Sequence, residues 1–276
     1  MTLFARLTPA GACTAAVIAL VCATAAQAGS LLPHRVGYAL SLDASRSSQQ
    51  LESANGRLDY EIKGNACEGY SVNMRQSNVL EPGEGAAVRS DMASTTWEDG
   101  KGEAYRFKTV NRVGNEVKSD VDGIVNRTAT GATVQLTKPK AETVELKGDI
   151  LMPTEHVEKV IAAAQAGESL YEARVFDGSE DGQRVFSTLA VIGRPAKDAK
   201  GLPQAADAAL AGVTYYPVTI SYFDEDSADS TPEYTMTITL YDNGVIGRVS
   251  IDYGDFVLRG VMSSFEALPA AAPCTK

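Results

Sequence analysis

The chain has only two histidines, His34 and His156, in 276 residues. A Ser-His-Asp site must use one of them, yet no Gly-x-Ser-x-Gly elbow exists anywhere in the sequence. Neither histidine lies in an H-x-x-x-H pair, so zinc lacks its usual ligand spacing. Both are read as packing or surface residues that carry no catalytic proton. Cysteine is scarce too: Cys13, Cys22, Cys67 and Cys274 are all there are. Basic charge is in deficit, with 25 Lys and Arg against 35 Asp and Glu and a net charge of −10. That balance argues against nucleic acid and against docking on anionic lipid through a basic patch. Beyond residue 28 nothing approaches the roughly 20 apolar residues of a membrane span, so the product is expected not to span a membrane. No repeat of fixed period and no dividing linker is visible.

What is present begins with an export signal. Met1 to Ala28 has a positive n-region at Arg6, an uncharged apolar stretch from Ala15 to Ala26, and the small-x-small pattern Ala26-Gln27-Ala28. Cleavage between Ala28 and Gly29 is expected. It leaves residues 29–276 as a single β domain in the periplasm and shifts the charge from −10 to −11, since Arg6 is the one charge lost. Cys22 follows Ala19-Leu20-Val21, a poor lipobox, so lipidation is not expected. Cleavage also removes Cys13 and Cys22. The two remaining thiols, Cys67 and Cys274, then sit in an oxidising compartment where pairing is the default. Such a bridge would act as a structural staple, and it takes both thiols out of nucleophilic chemistry.

Period-two patterning dominates the mature chain. Val36, Tyr38, Leu40 and Leu42 alternate with smaller or polar residues, as do Leu58, Tyr60 and Ile62, then Tyr70, Val72 and Met74. Turns at Glu81–Gly85 and Glu98–Gly102 bound further strands at Val88–Trp97, Glu103–Val113 and Glu116–Val125. The clear helix runs from Thr154 to Ala166, started by Pro153 and stopped by Gly167. Its apolar stripe is Val157, Val160, Ile161 and Ala164, which reads as a plug over the concave face of a curved sheet. A second short helix is predicted at Gln204–Leu210. The last third forms a four-stranded meander: Val213–Phe223, Tyr234–Tyr241, Val249–Tyr253 and Phe256–Met262, with Asn243-Gly244 in a hairpin turn.

Three clusters carry possible chemistry. Asp177-Gly178-Ser179-Glu180-Asp181-Gly182 matches the opening of a calcium loop, but Thr188 stands at position twelve where a bidentate Glu is needed, and a polar turn explains the same residues. Asp224-Glu225-Asp226, with Asp229, is a solvated acidic turn or a contact for a cation or a basic partner. Trp97 beside Glu98 and Asp99 has the makings of a sugar-stacking platform, or of a core or rim residue.

Taken in order, Leu32-Pro33-His34-Arg35-Val36-x-Tyr38, Cys67-Glu68-Gly69-Tyr70, Trp97-Glu98-Asp99-Gly100 and Pro153-Thr154-Glu155-His156 resemble the EipB (envelope integrity protein B) family. So do Val175 through Gly182, Tyr216-Pro217-Val218, and Pro232-Glu233-Tyr234 running on to Phe256. The resemblance spans the whole mature chain. It implies a mostly β fold, one long antiparallel sheet curled into a spiral or half barrel, with a helix in the concavity, similar to periplasmic lipoprotein carriers. It implies a role in cell-envelope integrity, no cofactor, no catalytic residues and no established enzymatic activity. The partner it suggests is another periplasmic or envelope protein, or a lipid-like ligand. Two rival readings stand beside it: a lipoprotein or lipid carrier, which needs a continuous apolar lining and a movable helix, and a hydrolase of envelope polymers, which needs convergent carboxylates.

Overall fold

The computed structural model describes residues 30–46, 51–227 and 230–270. The expected signal, its cleavage point, Asp229 and Cys274 lie outside them. Fourteen strands make one antiparallel sheet that does not close into a barrel. In chain order they are β1 (His34–Leu42), β2 (Leu51–Asn65), β3 (Gly69–Pro82), β4 (Val88–Glu98), β5 (Ala104–Val113), β6 (Glu116–Thr128), β7 (Gly131–Lys138) and β8 (Glu142–Lys147). Helix α1 (Pro153–Gln165) follows, then β9 (Leu170–Val175), β10 (Phe186–Ile192), the short α2 (Gln204–Ala209), β11 (Tyr215–Asp224), β12 (Tyr234–Tyr241), β13 (Ile246–Asp252) and β14 (Val257–Ala267).

The spatial order, β8 to β1 followed by β14 down to β9, explains the winding. The chain starts mid-sheet at β1, meanders outward to one edge at β8, and re-enters at the other edge with β9. It then meanders back until β14 pairs with β1. Val36 of β1 thus lies between Tyr60 of β2 and Phe265 of β14. Each strand follows the pleat, with apolar side chains on one face and polar ones on the other. Val36, Tyr38 and Leu40 are buried while Arg35 and Ser41 are exposed.

Helix α1 begins at Pro153, whose fixed φ and missing N–H suit the first helical position. Its Val160 and Ile161 are 0% and 2% exposed and belong to the main core, which also holds Tyr38, Val218, Ile220 and Ile238. The predicted stripe is therefore the buried one, with Val157 only half-buried. A second core is separate. Tyr105, Phe107, Val121, Val125, Val134 and Leu136 of β5 to β7 surround Ile150, Met152, Phe176 and Val185.

The concavity therefore has two fillers, where the sequence suggested one. The second is the segment after β9, from Phe176 to Val185. Phe176 is fully buried and meets the Tyr105 and Phe107 rings edge-on. A Cβ on Gly178 would sit 2.4 Å from Phe107, and one on Gly182 would sit 2.5 Å from Val121. Both glycines also hold positive φ, +71° and +77°. Strands β7 to β10 were likewise not anticipated. Two of them, β8 and β9, are six-residue edge strands with too little alternation to stand out.

Candidate functional site

Cross-strand register builds the concave face row by row. Tyr60, Met74, Ser94 and Thr109 stand side by side across β2 to β5, as do Leu58, Gln76, Met92 and Asn111. The next row holds Ile62, Val72, Thr96 and Phe107, and the last brings Tyr70, Glu98 and Tyr105 together. α1 contributes Val160 and Ile161 to one core on this face, and the Phe176–Val185 segment contributes Phe176 and Val185 to the other. Tyr60, Val72, Met74 and Met92 stay only half-buried, as do Tyr234 and Met236 of β12 and Ile251 of β13. Tyr253, just past β13, lies beside the Gln76 side chain of β3. The result is an apolar strip, rich in methionine and tyrosine. Methionine supplies an adaptable surface and tyrosine adds a polar tip to an apolar body.

Glu98 bounds one end of that strip. It is 5% exposed at the end of β4, and its two carboxylate oxygens accept the N–H groups of Thr154 and Glu155, each at 2.9 Å. Met152, the residue at the cap position, gives α1 no side-chain cap. A strand 56 residues earlier therefore supplies what the helix start lacks. Burial pushes the Glu98 carboxyl up to about 7, against the pull of those two hydrogen bonds. Arg127 holds neighbouring Glu155 at 2.6 Å and anchors itself on the Gly102 carbonyl.

The model of the EipB-like family matches residues 25–269. This chain belongs to the EipB-like family. It is 36% identical over 243 residues to the cell envelope integrity protein EipB of Brucella abortus (strain 2308), a match covering 86% of this chain and 85% of that protein. It is also similar to the crystal structure of a beta-barrel-like protein of domain of unknown function DUF1849 from Brucella abortus. There the TM-score is 0.80 at 34% identity, over 87% of this chain and 99% of that one.

The residues singled out in this EipB-like sequence fall in separate places. His34, 2% exposed, bonds the Leu32 carbonyl through Nδ1 at 2.7 Å and lies between Tyr60 and Phe265. Burial lowers its pKa. His156, on the first turn of α1, is lowered to about 4 by burial and is neutral at pH 7. Its Nε2 lies 3.3 Å from the Thr188 hydroxyl, which is buried and donates instead to the Ala173 carbonyl at 3.0 Å.

Asp177 and Asp181 spend their Oδ1 atoms on the N–H groups of Ser179 and Gln183. The Asp177 carbonyl takes the Tyr105 hydroxyl at 2.9 Å, and burial raises its carboxyl pKa. Among the described residues no three His, Cys, Asp or Glu side chains gather as metal ligands. Asp224 pairs with Arg184 and Glu225 with Arg174, so this acidic turn ties neighbouring elements together. Trp97 carries the Arg106 guanidinium 5.5 Å from its ring centre. On the outer face, a 360 Å³ groove lined by Arg35, Glu61, Asn73, Arg75 and Ala93 has its charges matched by the Arg35–Glu61 and Arg75–Asp91 pairs.

Sequence reasoning missed Glu98 and the methionines. Glu98 read as the first residue of a turn, and its helix partner is separated from it by four strands. The local signal available was Met152-Pro153, a helix start without a capping side chain of its own.

Proposed function

We propose that this EipB-like chain is a periplasmic, non-enzymatic protein that supports cell-envelope integrity by holding a ligand on the open strip of its concave face. The ligand is a protein segment or a lipid-like molecule. The observation that carries this reading is the half-buried apolar set Tyr60, Met74, Met92, Tyr234 and Met236, which leaves part of its surface to solvent on strands β2 to β4 and β12. Apolar clefts with a few polar tips are the usual form of a ligand site. The role comes from the relative that carries the envelope-integrity name, and the compartment from the leader read at Met1–Ala28. The non-enzymatic reading draws on how the buried acids are used. Glu98 and Asp177 both act on Tyr105, the arrangement a hydrolase would favour, but Glu98 serves as a helix cap and Asp177 as a turn.

A complementation experiment tests this. Met92→Arg and Met236→Arg place a charge on the strip at positions already half-open to solvent, so the folded state is retained. In a deletion strain under detergent stress, each variant should accumulate normally and fail to restore growth. Full restoration by both folded variants would remove the strip from the function.

A further inference from the structure

The two edges of the open sheet are not alike. Both end near each other, where Arg174 of β9 donates to the Lys147 carbonyl of β8. Leu151 continues the contact, its N–H donating to the Arg174 carbonyl at 2.8 Å and its carbonyl accepting Phe176 N–H at 3.0 Å. These bonds fix the phase of β9. Arg174 turns its main chain away from β10, so Glu172 and Leu170, at steps of two, do the same. Ser169 faces the other way, its carbonyl taking the Ile192 N–H. Among the described residues no main-chain bond reaches Leu170 or Glu172 from the outer side.

The side chains beside this unpaired edge are unusual. Leu170 and Val191 are directly opposite one another on β9 and β10, and they are 56% and 48% exposed. Half-buried Leu189 is the next residue along the same face, opposite Glu172. Glu172 is exposed and makes no ion pair among the described residues. By contrast, β8 carries Glu142, Glu145 and Lys147 on its rim, with Glu145 engaged by Thr133. Natural edges are normally blunted by charge, and an apolar pair at an open edge marks a pairing surface.

We propose that the outer edge of β9 docks an extended segment of a partner protein. That segment adds as a further strand, sets an apolar side chain beside Leu170, extending the Leu170–Val191 pair, and sets a basic one against Glu172. Charge complementarity selects this occupant over a second copy of the chain. Antiparallel self-pairing centred on Glu172 brings acid against acid, and centred on Leu170 it sets Glu172 against Glu168. Main-chain bonds give such a strand its affinity and alternate side chains give its specificity. The proposal concerns the rim of the sheet and stands independently of the concave-face reading.

The test uses the mature chain and the capped peptide Lys-Thr-Val-Thr, which places Lys opposite Glu172 and Val opposite Leu170 and stops short of Arg174, whose edge Leu151 occupies. Binding should slow hydrogen exchange at the Leu170 and Glu172 amides by about tenfold or more, as formation of a β ladder requires. N-methylation of the peptide at Lys and Val, which alters nothing in the protein, should abolish that protection. Because Glu172 is exposed and unpaired, Glu172→Lys keeps the fold. It should weaken the Lys peptide by about fivefold and favour a Glu-bearing peptide instead. Unchanged exchange at saturating peptide, equal binding of the N-methylated form, or indifference to Glu172→Lys would each overturn the proposal. So would a concentration-dependent dimer that occupies the same amides.

Discussion

Glu98 is a carboxylate asked to do two opposed things. Capping α1 favours its charged form, since an anion at a helix start accepts orphan N–H groups and meets the positive end of the dipole. Burial opposes the charge and wins, lifting the pKa from 4.5 to about 7. The folded state therefore binds a proton that the unfolded chain has already released between those two values. Stability contributed by this group must fall as pH rises from 4.5 to about 7 and level off above. The shift amounts to at most about 3 kcal/mol. His156 slopes the other way: with its folded pKa at about 4 against 6.5, stability rises as pH climbs through that interval. Denaturant unfolding of wild type and Glu98→Gln from pH 4.5 to 7.5 separates the two. Gln keeps one acceptor oxygen, so we expect a variant weaker by about 1 kcal/mol at acid pH and equal or better near neutrality. Parallel pH curves for the two proteins would show that Glu98 titrates normally. None of this was readable along the chain, because the cap and its helix meet only through tertiary structure.

At the scale of elements, the sequence located most regular pieces and missed what fills the gaps between them. The α1 stripe was legible because 3.6-residue spacing needs no partner to be seen. Strands β11 to β14 were legible because their alternation is long and clean. The Phe176–Val185 filler was not, because an irregular segment buries residues without a period. Its acidic pattern, which matches the opening of a calcium loop, is held in turns by Asp177 and Asp181, with Gly178 and Gly182 packed closely. Two measurements follow. Ile161→Asp should cost more than about 4 kcal/mol, since it puts an unpaired charge at a 2%-exposed position of the main core. Gly178→Ala should destabilise clearly more than Gly167→Ala. Both hold positive φ, but a Cβ at Gly178 strikes the Phe107 ring at 2.4 Å, whereas at Gly167 it meets nothing within 4 Å. Equal costs at the two glycines would mean the filler packs loosely. Hydrogen exchange adds a test of the carrier reading. That reading requires α1 amides to open when acyl chains are added, while the deep burial of Val160 and Ile161 leads us to expect protection equal to that of β1 and β12.

For the whole molecule, the sheet order places the seam between the wings where chain start and chain end meet. β1 and β14 join the two meanders within the sheet, and their pairing closes sequence separations above 200 residues, such as His34 with Ala267. A joint of this kind carries a large loop-closure cost and is the place where a covalent tie helps most. The proposed Cys67–Cys274 bridge would tie the chain's end to the turn after β2, next to that seam. His34 pairs with Ile62 of β2 as well as with Ala267, and Leu268 N–H still bonds the Pro33 carbonyl. Cys67 lies in the turn that follows β2, its N–H held by Asn65 Oδ1 at 2.8 Å. It is not a free thiol, and every other cysteine of the chain lies outside the described residues. Closing a loop of this length stabilises by at most about 5 kcal/mol in the chain-entropy account. Cys67→Ser and Cys274→Ser should therefore lower the melting temperature by the same amount, singly or together, because either change opens the same loop. A double variant much weaker than either single one, or free-thiol labelling at both positions in the native protein, would show that the seam between β1 and β14 holds without a covalent tie.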